Sequence, residues 1–302
     1  SWRVIIFMSA DKYGSLRNLT DKTKRAWYRL SKNKLSIVGF IGVTVIVLAA
    51  IFAPYIAPYP SHAGKVVDFV NANQPPSLKH LCGTDPMGRD VFSRIIFALR
   101  STLLMGVVVL SISVPFGTTM GLIAGYFQGS LIDSFITRLT DIFLAVPPLI
   151  LALSVAALLK PNLMNAMLAI TITWWTWYAR LAYGMAVTLN REYYVRSAQL
   201  LGASWVHIIF REMLPNCLSP ILTKMTLDMG IVIMTAAALS FVGLGEQPPT
   251  PALGTMISDG AKYMPTQWWL TVFPALAIMI IVLSFNLLGD SFRDLFSTEE
   301  KQ

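Results

Sequence analysis

The chain has 302 residues, 55 % apolar and only 13 % charged, where a soluble domain averages about 25 % charged. A mean hydropathy of +0.59 and long charge-free runs therefore exclude a single aqueous globule. Two cysteines with no CxxC or Cys/His cluster offer neither a disulfide framework nor metal-ligand spacing, and the net charge of +8 gathers at the ends of apolar runs, which suits lipid headgroups better than nucleic acid.

In chain order, residues 1–34 form a basic tail. Within it Val4 to Met8 is too short for a signal-peptide core and reads as interfacial or as sequence added to the chain. A hydrocarbon core of about 30 Å takes about 20 residues of helix. The runs predict an all-α membrane protein with six transmembrane helices at about 35–56, 101–127, 142–159, 163–185, 216–242 and 268–289. A loop at 57–100, a five-helix core over 101–289 containing a polar loop at 190–216, and a tail at 290–302 complete the division. Six spans put both termini on one side. That side carries sixteen Lys and Arg against seven on the other, so the positive-inside rule makes the termini and the 190–216 loop cytoplasmic.

In the 57–100 loop, Asp85-Pro86 reads as an N-cap and first helical residue, with Asp90 capping the next turn, so an interfacial helix is expected ahead of the second span. Arg89, Arg94 and Arg100 can pair with Asp85 and Asp90, contact lipid phosphates or meet an arriving protein. Gly117, Gly121 and Gly125 recur every four residues and form a strip for close helix packing. Pro115 and Pro147-Pro148 predict kinks or a broken helix entry. Asp133, Arg138 and Asp141 flank the third span, and Arg138 can meet Asp141 on one face. Trp174, Trp175, Trp177 and Tyr178 suit packing or an aromatic belt, with a ligand platform as the alternative.

The stretch from Arg191 to Asn216 predicts two short helices. Tyr193, Ser197, Leu200 and Leu201 share one face of the first, Gly202 suits a left-handed C-cap, and Ser204 suits an N-cap. Val206, Ile209, Phe210 and Met213 form the face of the second, which Leu214-Pro215-Asn216 ends. Lys224 and Asp228, four residues apart in the fifth span, can neutralise each other and either stabilise the bundle or line a pathway. The Gly and Pro density of Gly243 to Gly254 predicts a turn-rich outer loop. Cys82 and Cys217 fall on opposite sides and are expected to be free thiols. His62, His80 and His207 are scattered, with no HExxH or GxSxG, and Gly64-Lys65-Val66 lacks the P-loop, so neither catalysis nor unaided ATP hydrolysis is indicated.

Tyr194-Val195-Arg196-Ser197-Ala198-Gln199-Leu200-Leu201-Gly202, with Leu214-Pro215-Asn216 following, resembles the EAA loop of ABC-importer permeases. It departs in Ser197-Ala198, where Ala-Ala is usual, and in an acidic residue, Glu192, one position early. Gly83-Thr84-Asp85-Pro86-Met87-Gly88-Arg89-Asp90, continuing to Arg94, resembles the C-type permease subunit of dipeptide and oligopeptide importers, as do Ala237 to Gly245, Gln247 to Pro251 and Asn286 to Asp294. Leu253, where Trp is common, is a local departure.

The resemblance implies the type I ABC importer permease architecture, with a coupling helix formed by Glu192, Tyr193, Tyr194, Arg196, Ser197, Ala198, Gln199, Leu200, Leu201, Gly202 and Ala203. Gly83, Thr84, Asp85, Gly88, Arg89, Asp90, Arg94 and Pro215 are expected to be structural, and Lys224, Asp228, Trp174 and Trp177 to be pathway candidates. It implies no cofactor or metal on this chain, ATP and Mg on two cytoplasmic ATPase partners, a second permease subunit, an extracytoplasmic solute-binding protein, and an inner-membrane location. Nickel chelates, glutathione or oligosaccharides are alternative cargoes. A stand-alone secondary transporter or channel is the competing class, although neither a second Lys/Asp pair nor similarity between the halves is present.

Overall fold

The computed structural model describes residues 34–297. The readings made for 1–33 and for the last residues of the C-terminal tail lie outside them. The described elements are α1 (Lys34–Ile51), α2 (Val91–Tyr126), α3 (Leu131–Leu144), α4 (Pro148–Ala157), α5 (Leu163–Leu189), α6 (Tyr193–Leu200), α7 (Trp205–Phe241), α8 (Leu253–Ala261) and α9 (Trp269–Ser297), with a single helical turn Ala53–Ile56 and short 3-10 turns between α1 and α2. By length and apolarity α1, α2, α7 and α9 can each cross a bilayer. The α3/α4 pair, bent by 88°, is a fifth crossing if counted as one span. The 27-residue α5 is long enough to cross but is not among these spans; it carries Asn165, several threonines and Arg180.

Several boundaries correct the sequence expectation. No interfacial helix precedes the second span. α2 runs unbroken for 36 residues from its cap at Asp90, about 54 Å at 1.5 Å per residue, because no Gly or Pro interrupts Val91 to Ser101. Asp85 caps a turn instead of a helix: its Oδ1 accepts from the backbone of Met87 and Arg89, both at 2.9 Å. The helix expected at 142–159 starts earlier, at the amphipathic α3 capped by Ser130, and breaks at Pro147-Pro148 as the missing amide donors require. α8 starts at the end of the stretch read as a turn-rich loop, and α9 carries the helix past Asp290 to Ser297.

Pro215 does not end a helix. The chain stays helical from Trp205 to Phe241 through a π-helical segment at Ile208–Met213 placed immediately before it. Proline lacks the amide that would close an α-turn, and wider turns of this kind are common where an α-ladder is interrupted. The extra residue per turn also changes the buried face. Ile208, Ile209 and Met213 are fully buried, whereas Val206 and Phe210, expected on that face, are 44 % and 42 % exposed.

The centre of the bundle is the pairing of α2 with α5, the most extensive between any two elements. Its cause is the glycine strip. A Cβ at Gly117 would strike the carbonyl of Trp175, one at Gly121 the carbonyl of Ala179, and one at Gly125 the methyl of Ala186. Lipid tails are as apolar as side chains, so the bundle gains little from the hydrophobic effect and depends on such close packing. α1 reaches α9 in the same way, with Gly39 against the backbone of Leu287 and Leu288.

Gly121→Leu should therefore destabilise the bundle by about 1–3 kcal/mol or more through overpacking, read as a lower unfolding temperature in detergent. Gly184→Ala, in the same interhelical region of sequence but with open space around its Cβ, should be neutral or stabilising by about 0.5–1 kcal/mol.

Candidate functional site

The loop at 190–216 forms a bent elbow. α6 ends in a Schellman motif: the amide of Gly202 donates to the carbonyl of Gln199 and that of Ala203 to the carbonyl of Ala198, both at 3.0 Å, with Gly202 at φ +79°. Ser204 then caps α7 by accepting from the amide of His207 at 3.3 Å. The inward side is held by Val195, fully buried, with Ala198 packed beside it. The outward side presents Tyr193, Leu200 and Leu201, each 87–89 % exposed, together with exposed Glu192, Arg196, Ser197 and Gln199.

Two side-chain links tie the elbow to the long helices. Gln199 Nε2 donates to Asn190 Oδ1, and Asn190 Nδ2 donates to the carbonyl of Tyr126 at the end of α2, both at 3.2 Å. Asn216 Nδ2 donates to the Tyr194 hydroxyl at 3.2 Å, linking α6 to α7. The Trp205 ring lies 5.9 Å from that of Phe127, which follows α2. A force on α6 has polar routes into α2, α5 and α7.

Deeper in the bundle, Lys224 Nζ donates to Asp228 Oδ1 at 3.0 Å, and Trp174 Nε1 donates to Asp228 Oδ2 at 3.3 Å. The same ammonium stands 5.7 Å from the Trp177 ring centroid and 5.6 Å from that of Tyr178. Asp228 is almost sealed, with its side chain 5 % exposed, while that of Lys224 is 29 % exposed. The structure thus brings all four pathway candidates to one place between α5 and α7. Trp174 and Tyr178 are buried and Trp177 is 42 % exposed. The Tyr178 hydroxyl, buried beside Asp228, makes no hydrogen bond of good geometry.

Between α1 and α2 a third cluster assembles around Asp90. Its carboxylate caps α2 by accepting from Ser93 N at 2.8 Å, accepts from the Ser93 hydroxyl at 2.7 Å, and binds His80 Nδ1 at 2.9 Å. An ionised carboxylate only accepts, so His80 Nδ1 is the donor. The amide of Asp90 donates to His62 Nδ1 at 2.9 Å, and Arg94 Nη1 donates to the carbonyl of His62 at 3.1 Å. Tyr59 lies against both imidazoles. Arg89 Nε binds Asp85 Oδ2 at 2.7 Å. Thr84, paired across a bridge with Asp90, accepts from Trp269 Nε1 at 3.3 Å through its carbonyl, which fastens this loop to α9. Gly83 and Gly88, at φ +74° and +76°, make the turns that bring these groups together. Cys82 is a free thiol, and burial pushes it up to about 11. Cys217 is also free and buried.

Residues 117–301 match the family described as binding-protein-dependent transport system inner membrane component, and residues 22–76 match the N-terminal TM domain of oligopeptide transport permease C. The chain belongs to this permease family. It is 41 % identical over 278 residues, covering 92 % of this chain and 90 % of the relative, to the dipeptide transport system permease protein DppC of Alkalihalophilus pseudofirmus. It is 38 % identical to DppC of Haemophilus influenzae, covering 91 % and 94 %, and 37 % identical to the glutathione transport system permease protein GsiD of Pectobacterium atrosepticum, covering 89 % and 88 %. Its fold is similar to that of the inward-facing MetNI methionine ABC transporter, with a TM-score of 0.56 at 17 % identity over 68 % of this chain and 96 % of that chain.

The permease is thus a multi-pass inner-membrane component of a transport system, and not an enzyme family. Sequence reasoning read His62 and His80 as scattered residues and did not single out Tyr59, because their partner Asp90 lies 28 positions from His62 and no local spacing reveals it. It also missed Asn190 and Asn216 as ties of the elbow. Arg138 and Asp141 do not pair; Asp141 instead binds Arg180 on α5, since α3 leans on α5.

The His62 bond fixes a pH response. Nδ1 can accept from Asp90 only when the ring is neutral, and burial holds the His62 pKa below its ordinary 6.5 against the opposing pull of Asp90, Asp68 and Asp85, with His80 adding to the lowering. The opened loop then binds the proton more readily. The stabilisation is complete above about pH 6.5 and is lost as pH falls below it. Hydrogen-exchange protection over 57–90, taken relative to the intrinsic amide rate at each pH, should fall between about pH 7.5 and about pH 5, and His62→Leu should flatten that dependence.

Proposed function

We propose that this permease is one of two dissimilar membrane subunits of an ATP-driven importer for dipeptides or oligopeptides, received from an extracytoplasmic binding protein, and that its elbow docks on a cytoplasmic ATPase subunit. The observation that carries the coupling role is the exposed Tyr193, Leu200 and Leu201 on a rigidly capped turn that is tied to α2 and α7. Exposed apolar side chains of this size around a fixed helix suit insertion into a groove on a partner. The DppC relatives support the peptide cargo. The similarity to GsiD supports glutathione, itself a small peptide, as the second reading.

In this reading the six spans are α1, α2, the α3/α4 pair, α5, α7 and α9, with both termini and the 190–216 loop cytoplasmic. The outer loop runs from the end of α1 to the start of α2 at Val91, and α9 continues into the C-terminal tail. ATP and Mg are bound by the ATPase partners and supply the drive. Displacement of α6 passes through Gln199, Asn190 and Tyr126 to α2, and through Tyr194 and Asn216 to α7. The bundle rocks and opens its pathway to alternate sides, a two-state element biased by a partner. Lys224 and Asp228 form part of that pathway's wall, with the partly open ammonium as the contact and Asp228, Trp174 and Trp177 holding it in place.

Gly202→Asp tests the coupling. No atom lies within 4 Å of a Cβ at Gly202, so within the chain the substitution meets only the left-handed backbone strain of about 1–2 kcal/mol. Uptake of a labelled dipeptide, and its coupling to ATP hydrolysis, should be lost at unchanged membrane abundance; normal uptake would remove the role. Lys224→Gln combined with Asp228→Asn keeps shape and removes charge. It should lower the rate for charged peptides by about tenfold, the scale of one lost charge-assisted contact, and unchanged rates for every transported ligand would remove the pair from the pathway.

A further inference from the structure

Between α1 and α2 lies a cavity of about 520 Å³ that nothing above uses. Its walls are two helical stripes: Val43, Val47 and Ile51 on α1, and Arg100, Leu104 and Val107 on α2, spaced by three or four residues so that each stripe faces the groove. Met229 of α7 and Phe285 of α9, both buried, close its floor. Every lining group is apolar except Arg100.

Arg100 is exposed, and among the described residues no carboxylate lies within ion-pair distance of it. It is the last charge before Asp133, so it marks the level at which α2 leaves the polar boundary for hydrocarbon. The turns that follow α1 pack on the start of α2, which sets the guanidinium at the polar end of the groove with the apolar stripes running inward from it. From Arg100 to Val107 the groove descends about 10 Å along α2.

A guanidinium without a counter-charge above an apolar slot matches an amphiphile with an anionic head and a hydrocarbon tail. Arginine engages phosphate oxygens through paired N–H donors, and an anionic headgroup supplies the counter-charge that the described residues do not give Arg100. We propose that this groove binds an anionic phospholipid of the surrounding leaflet, with its phosphate on Arg100 and one acyl chain between α1 and α2. The bound lipid fills the seam by which the first helix joins the bundle.

The test uses the complete importer, extracted in detergent and examined by native mass spectrometry after incubation with phosphatidylglycerol or phosphatidylethanolamine. The wild-type complex should retain one phosphatidylglycerol per permease chain in preference to phosphatidylethanolamine. Arg100→Gln should lower retention about tenfold. Val47→Trp, which fills the slot and leaves Arg100 in place, should lower it as well, with unfolding temperature showing that both variants are folded. Glycerol 3-phosphate should not displace the lipid. Equal retention by either variant, displacement by glycerol 3-phosphate, or efficient disulfide cross-linking of Leu104→Cys to a cysteine on the second permease chain would overturn the proposal. The last result would make the groove a seam between chains.

Discussion

The close contact of α2 with α5 is the constraint on which the other features rest. Three glycines four residues apart let the backbones of two long helices approach directly, and the contact joins regions that are distant along the helix axes. α2 begins at the Asp90 cluster and ends at the Tyr126 carbonyl that receives Asn190. α5 carries Trp174, Trp177 and Tyr178 and leads directly into the elbow. The Asp90 cluster, the indole that binds Asp228 and the elbow are therefore attached to one closely packed pair of helices, with little room for local relaxation between them.

α7 is built on the opposite principle. Its first turns depart from α-geometry at Ile208–Met213, directly ahead of Pro215, and Pro220 follows one turn later. Missing amides weaken the helix ladder where the elbow joins the bundle, while the buried Ile208, Ile209 and Met213 keep it anchored. In the proposed coupling, a rigid capped turn at Gly202 followed by a softened helix start is the sequence that would receive force and permit rotation.

Charge is distributed with the same economy. Asp90 and Asp228 are both buried, and each is surrounded by donors: two serine groups and an imidazole around Asp90, an ammonium and an indole around Asp228. Buried carboxylates persist only when so supplied. Arg100 is the contrast, a cation at the membrane boundary with an apolar slot beneath it and no protein counter-ion among the described residues.

What could be read from the chain alone was whatever depends on local order. Apolar runs, the glycine strip, the left-handed position at Gly202, the Ser204 cap and the four-residue spacing of Lys224 and Asp228 are properties of one segment, and each follows from helix geometry and composition. The ordered motifs around Asp85, Gly202 and Asp290 likewise carried the family resemblance. Tertiary structure alone decided the pairing of Asp141 with Arg180 instead of Arg138 and the meeting of His62 and His80 at Asp90. Each of these turns on how two segments remote in sequence satisfy or displace one another's hydrogen bonds, and spacing within a single segment holds no record of that competition.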